Sequence, residues 1–338
     1  MPHFDRRRLL AAAAVTLGAL GVASPWPVFA QSSTSLATSS MAYPNRPVTL
    51  VSVFSPGSPQ DLVVRAVAEI VAADLKQPVI VDNKPGANGG IAQGYTATQK
   101  PDGYTLCAAN STGLAILPLM QKLAYDATSD LTYIMQMVSF PIGVVVKADN
   151  PFKSWADLVA HAMANPGKIT YGTTGPGSTA NLGMQRLQGL AGISLTHVPH
   201  KGSMEIIPAV LGDHIMLMVT GTEWKPQVDA GNMRLLMMWT DKRLAAFANV
   251  PTARESGYPF DLDATFGLIA PKGLEAGVQA RVHGAFKTAL ETASVRALIE
   301  KYDMVPSYAD GAAFKARMAS ISADLKPVID QLGLARKE

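Results

Sequence analysis

The apolar positions of this chain change period repeatedly. Val48 to Phe54 is a short, nearly continuous β-rich run, the pattern of a strand covered on both faces. After Ser55-Pro56-Gly57-Ser58-Pro59-Gln60-Asp61 the period lengthens. Val64, Val67, Val71 and Leu75 fall on one stripe of a helix over about 62–75, with Arg65, Glu69 and Asp74 at polar positions. A strand at 78–81 leads into Gly86-Ala87-Asn88-Gly89-Gly90 and a second helix. Pro101-Asp102-Gly103 is a turn, since Pro presets φ and Gly takes a positive one. The strand around Cys107 follows, then a loop at Asn110-Ser111-Thr112-Gly113 and strands at 133–137 and 142–146.

Ser154 and Asp157 open a short amphipathic helix that Asn165-Pro166-Gly167 ends. A strand at 169–172, the loop 173–179, a helix at 181–190 and a strand at 195–198 come next. Thr252 and Glu255 repeat the capping-box pattern. Two long helices close the chain, one carrying Val278, Val282 and Phe286, the other Phe314, Met318, Ile321 and Leu325, with Pro327 expected to kink or end it. The recurring order of strand, loop and helix predicts an α/β protein with mostly parallel sheets. No internal repeat and no low-complexity domain is found.

The first thirty residues read as an export signal. Arg6, Arg7 and Arg8 precede a charge-free stretch from Leu9 to Ala30, and Val28-Phe29-Ala30 forms a small-x-small cleavage site before Gln31. Pro25 and Pro27 cut the run short of a membrane span. The paired arginines fit either the general secretory or the twin-arginine route. Residues 31–43, Ser/Thr-rich and uncharged, read as a flexible leader. Without residues 1–30 the chain has 26 basic and 25 acidic residues, a net of +1, which argues against nucleic acid or an anionic membrane as partner. Cys107 is the one cysteine, so no intramolecular disulfide forms. It is expected to be packed and inert. A soluble periplasmic protein is the resulting expectation.

Chemistry concentrates in three loops of one kind, 55–61, 86–90 and 173–179, each rich in Gly, Ser or Thr and each set between a strand and a helix. Open α/β sheets bind ligands at the carboxyl ends of their strands, where such loops offer N–H groups and hydroxyls beside a positive helix end. The loops contain no Arg, and no Lys except Lys84 just before the second, which suits a single carboxylate. Gly175-Pro176-Gly177-Ser178-Thr179-Ala180 fits a dinucleotide pattern only weakly, because Pro176 stiffens the turn and the next strand ends without an acidic residue. His197-Val198-Pro199-His200 lacks companion ligands for a metal and is read as structural. Lys201 is read as a solvated surface charge. No cofactor and no metal is expected.

Taken together, Tyr43-Pro44-Asn45-Arg46-Pro47, Pro56-Gly57 with Asp61, Asp82-Asn83-Lys84-Pro85-Gly86-Ala87, Pro101-Asp102-Gly103-Tyr104-Thr105-Leu106, Asn165-Pro166-Gly167-Lys168, His197-Val198-Pro199, Lys201-Gly202, Val250-Pro251-Thr252 and Ala270-Pro271 resemble the substrate-binding receptors of tripartite tricarboxylate transporters, the Bug receptors. The resemblance covers 43 to about 334. It implies a two-lobed Venus-flytrap fold that closes on a small carboxylate ligand and delivers it, as a monomer and without catalysis, to membrane permease subunits. The lobes are expected at 44–142 with 264–338, and at 143–263. The ligand-binding positions it implies are Ser55, Gly57, Ser58, Gln60, Asp61, Asn110, Ser111, Thr173, Thr174, Gly177, Ser178, Thr179, Asn181, Thr220 and Thr222.

Departures from the family pattern fall at that site. Ser58, Pro59 and Gln60 replace a Gly and a small or hydroxyl pair, Asn88 stands where Gly is usual, Asn181 where His is usual, His200 where Tyr is usual, and Thr265 where Trp is frequent. Two other functions share the scaffold. One is a sensing subunit for a membrane kinase. The other is an exported enzyme, for which only Asp61, His197 and His200 could act as base or nucleophile. Asp61 is expected to cap its helix or to meet a ligand amine.

Overall fold

The computed structural model describes residues 43–260 and 262–336. The expected export signal, and the leader apart from Tyr43, lie outside the described residues. In the first sheet β1 (Val48–Ser52) lies between β2 (Val79–Asn83) and β3 (Thr105–Asn110), parallel to both. β10 (Asp263–Pro271) runs antiparallel to β3 and to β4 (Leu131–Pro141), and β11 (Val305–Asp310) closes the edge antiparallel to β4. The second sheet has the order β7 (Thr196–Pro199), β6 (Thr170–Thr173), β8 (Leu217–Thr220), β5 (Gly143–Lys147), β9 (Met233–Met238). There β6 is parallel to β7 and β8, and β5 is antiparallel to β8 and β9.

Both sheets are therefore mixed rather than mostly parallel, and the reason lies in how the chain passes between them. β4 ends at Pro141 in the first sheet and β5 begins at Gly143 in the second. The chain returns from β9 to β10 through residues 239–262. A strand that crosses in this way enters its new sheet from the carboxyl ends of the resident strands, so it must run against them. The crossings are tied together where the Trp239 N–H donates to the Ile142 carbonyl at 3.0 Å and the Leu262 N–H to the Trp239 carbonyl at 2.8 Å. Gly143 leaves room there: a Cβ would come within 2.7 Å of Leu235 and 2.9 Å of Trp224.

Helices cover the sheets. α1 (Pro59–Leu75), α2 (Gly90–Ala97) and α3 (Leu117–Met120) follow β1, β2 and β3. α4 (Trp155–Ala164), α5 (Thr179–Ala191), α6 (Ile206–Leu211) and α7 (Lys225–Asp229) lie between β5 and β9 in sequence. α8 (Ala276–Glu291), α9 (Ala293–Lys301) and α10 (Gly311–Gln331) close the chain, one helix more than the apolar pattern predicts. The α1 stripe is buried as its spacing demands, and Val64, Val67 and Val71 contribute roughly 1.5–3 kcal/mol each. Ser154 and Asp157 form a reciprocal capping box on α4. Thr252 and Glu255 make the same pair of bonds, at 2.9 and 3.2 Å, but around a turn and not a helix. Pro327 neither ends nor interrupts α10, which continues to Gln331. Leu325 and Ile329 on either side of it are buried in a cluster with Phe314 and Met318, and that packing outweighs one lost backbone bond.

Cys107 sits in β3 with no exposed surface. Burial pushes its thiol up to about 12, against a weaker opposing pull from Thr96. The thiolate is the reactive form. We expect no labelling by a maleimide at pH 8 in the folded protein and stoichiometric labelling in denaturant. Labelling at equal rates in both would show that β3 is not the closed core strand described.

Candidate functional site

The carboxyl ends of β1, β2 and β3 in one sheet and of β6, β7 and β8 in the other point at a common cleft. The loops that follow them enclose a cavity of about 90 Å³. Ser55 and Gln60 come from the β1–α1 connection, Gly86, Asn88 and Gly89 from the β2 loop, and Asn110 and Thr112 from the end of β3. Thr174, Ser178 and Thr179 follow β6, Lys201, Gly202 and Ser203 follow β7, and Thr220, Gly221 and Glu223 follow β8. Phe54, Phe140, Ile142 and Ala264 supply apolar wall near the crossings. At roughly 10–15 Å³ per water-sized group, the cavity holds about six to nine such groups.

Two of these loops are copies of one motif. Pro56-Gly57-Ser58-Pro59-Gln60-Asp61 and Pro176-Gly177-Ser178-Thr179-Ala180-Asn181 share Pro-Gly-Ser followed three residues on by Asp or Asn. Gly57 and Gly177 take φ of 78° and 72°, a conformation that favours glycine. Ser58 and Ser178 are the N-caps of α1 and α5, with φ/ψ of −68°/154° and −65°/154°. Their hydroxyl oxygens accept from the Asp61 and Asn181 N–H groups at 3.2 and 3.1 Å. The Asp61 and Asn181 side chains in turn accept from the Gly57 and Gly177 N–H groups at 2.9 and 3.1 Å. The expectation of no internal repeat is thus corrected at the scale of six residues, too short a match to stand out before the two helix ends are seen to converge.

The two halves touch across the cleft. Asn88 Nδ2 donates to the Pro176 carbonyl at 2.8 Å, and the Thr112 and Thr179 hydroxyls lie 3.0 Å apart. Gly89, at φ 96°, must lack a side chain because a Cβ would stand 2.5 Å from Asn110 Oδ1. Asn110 Oδ1 accepts from the Gly113 N–H at 3.1 Å and from Gln93 Nε2 at 3.2 Å, which fixes the amide at the rim of the cavity. Several buried atoms on the wall have no hydrogen-bond partner: both amide atoms of Gln60, Oδ1 of Asn88 and Oε2 of Glu223.

Of the positions expected from the sequence, Ser55, Gln60, Asn110, Thr174, Ser178, Thr179 and Thr220 line the cavity. The others stand behind or beside it. Ser58 caps α1. Asp61 accepts from Gly57, from Arg65 Nε at 2.9 Å and from Asn83 Nδ2 at 2.6 Å. Ser111 accepts from the Thr265 N–H at 3.3 Å. Thr173 Oγ1 meets His197 Nε2 at 2.8 Å, and Asn181 Nδ2 donates to the Tyr171 hydroxyl at 3.2 Å. Gly57 is exposed at its loop tip, Gly177 packs against Met120, and Thr222 is buried off the wall. The His197 ring stacks on Tyr171, and burial, with His200 adding, holds its pKa below the ordinary histidine value. His200 Nδ1 lies 3.1 Å from the Val198 carbonyl.

Two wall residues differ from expectation or escaped it. Lys201 is solvent-exposed, as a surface charge would be, yet it also lines the cavity. Glu223 is 6% exposed, and burial pushes its carboxyl above the ordinary carboxylate range. The one sequence signal for Glu223 was its place next to Thr222 in a segment that the resemblance already marked. Among the described residues no group of three or more His, Cys, Asp or Glu could hold a metal ion, and no helix is long and apolar enough to cross a membrane.

Two mixed sheets flanked by helices, joined by strand crossings and facing each other across a cleft of helix N-termini, define a two-lobed binding protein. The sequence pattern of the tripartite tricarboxylate transporter family receptor, TctC, matches residues 63–334, and the chain belongs to that family. It is 36% identical over 336 residues, 99% of both chains, to a Cupriavidus necator protein named for its place in the gbd 5′ region. Its fold is similar to that of the periplasmic binding protein BugD, with a TM-score of 0.82 and 26% identity over 87% of this chain and 100% of that one. It is similar also to the R. palustris protein Rpa4515 solved with adipate, with a TM-score of 0.83, 26% identity and the same coverage.

Proposed function

We propose that this chain is a periplasmic, monomeric solute-binding receptor. It closes two lobes, 44–142 with 264–338 and 143–263, on a small carboxylate ligand and delivers that ligand to the permease subunits of a tripartite tricarboxylate-type transporter. The observation that carries this reading is the pair of matched loops, which bring the capped N-termini of α1 and α5 to one cavity. Such ends favour an anion through their dipoles and free N–H groups. The relative solved with adipate supports a carboxylate as the ligand class. The reading includes no catalysis. Of the candidate bases, Asp61 accepts from three donors, and His197 Nε2 and His200 Nδ1 lie against Thr173 and the Val198 carbonyl.

A thermal-shift screen against small mono- and dicarboxylates tests the proposal. A ligand at a hundredfold over its Kd should stabilise by about 2.7 kcal/mol. The hit should also reduce the radius of gyration in small-angle scattering, because contact with both lobes is what biases the protein toward closure. No stabilisation by any carboxylate, or an unchanged radius at saturation, would count against it.

A further inference from the structure

The cavity wall holds an acid that an anion site does not need. Glu223 lies in the turn that leads into α7 and is 6% exposed, yet its Oε2 has no hydrogen-bond partner. Gln60, wholly buried in α1 on the other side of the cleft, leaves both Oε1 and Nε2 unpartnered, and Asn88 Oδ1 is unpartnered as well. The orphaned atoms on the wall are thus mostly acceptors. Leaving a buried acceptor unsatisfied is costly, and more so when it is charged. A ligand offering several N–H donors would satisfy them together. Asp61 cannot take that role, since three donors already occupy its carboxylate.

We infer that Glu223 and Gln60 form a receptor for an ammonium group, so that the ligand is a compact zwitterion, an amino acid held by its carboxylate near Ser178 and by its amine at Glu223. This rests on the carboxylate-receptor reading above and specifies the ligand class for the same site. The cavity's room for about six to nine water-sized groups agrees with a small amino acid. An ammonium has donors and no acceptor, which matches Oε2 of Glu223 and Oε1 of Gln60 in sign. Lys201, on the same wall, leaves the carboxylate end of the ligand the cation it prefers.

Burial holds the Glu223 carboxyl above the ordinary carboxylate range, and the adjacent Ser203, Thr220 and Gln60 side chains offset only part of that. Lys201 is the other charged side chain on the wall. With a raised folded-state pKa, the contribution of Glu223 to stability is fully present below its unfolded value and is lost as pH rises through the folded one. The ligand-free Glu223→Gln protein should therefore gain in melting temperature relative to wild type as pH rises above the ordinary carboxylate range. An ammonium ligand, which requires the ionised acid, should bind wild type more weakly as pH falls toward that range.

Calorimetry at pH 7 on matched pairs decides the matter: L-aspartate against succinate, L-glutamate against glutarate, L-serine against glycerate. In wild type the best amino acid should bind at least about thirtyfold more tightly than its deaminated partner. In Glu223→Gln, which keeps the shape and should fold, that preference should fall to within about threefold. Deaminated acids binding wild type as well as the amino acids would overturn the inference and leave the carboxylate receptor standing. A preference that survives intact in Glu223→Gln would also overturn it. Simple alkylamines binding where every carboxylate fails would sink the carboxylate reading instead, and no binding by any probe at millimolar concentration would count against both.

Discussion

Replacing Ser178 by aspartate should lower ligand affinity by at least about a hundredfold while leaving the ligand-free melting temperature nearly unchanged. Ser178 lines the cavity and caps α5, with its hydroxyl oxygen accepting from the Asn181 N–H at 3.1 Å. Aspartate is as good an N-cap as serine, so the helix keeps its cap and gains a favourable charge at its positive end. The same charge stands where the ligand carboxylate is proposed to sit. Like charges in a partly desolvated cleft repel by several kcal/mol, and a hundredfold corresponds to about 2.7 kcal/mol. Ser178→Ala separates the two roles: it should lose about 1 kcal/mol of stability with the cap and cost far less affinity than aspartate. Titration of the tightest carboxylate into both variants reads the outcome. Normal binding by Ser178→Asp would remove the carboxylate from the α5 end of the cleft.

The parts of this site that were legible in the sequence are those written in local chemistry. An apolar run, a Gly/Ser loop and a helical stripe follow one another at β1–α1 and β6–α5, and each local choice agrees with the next. The direction of the crossing strands was not legible. Nothing in Gly143 to Lys147 or Asp263 to Pro271 states from which end it enters its sheet, and each reversal is imposed by the crossing itself. Glu223 was hidden for a related reason. Between Thr222 and Trp224 it reads as one polar residue in a short irregular turn, and the side chains it meets include Gln60 and Ser203, which lie far from it in sequence. Lys201 illustrates the reverse: its exposure was readable, but its position on the wall depends on where β7 ends.

A close approach between the two halves of the cleft offers a test of closure that is independent of charge. A Cβ on Gly202 would lie 2.3 Å from the Ser55 hydroxyl, and Ser55 follows β1 while Gly202 follows β7 in the other sheet. Gly202 itself is extended, with φ −153° and ψ 157°, so a β-branched side chain suits its backbone. The obstruction from Gly202→Val is thus across the cleft and not within its own lobe. Gly202→Ala should be mild, because the Ser55 hydroxyl can swing aside. Valine adds two methyl groups that must point into the same space, and the lobes would be propped apart. If only about 1% of the protein could then reach the closed state, apparent affinity would fall about a hundredfold. The ligand-free melting temperature should stay within a few degrees of wild type, since the lobes keep their own cores. Scattering should show a radius of gyration that no longer contracts at ligand concentrations saturating the wild-type protein. Wild-type affinity and full contraction in Gly202→Val would mean that the ligand is held without the approach of Ser55 to Gly202, and that the cleft loops alone, not their closure, make the site.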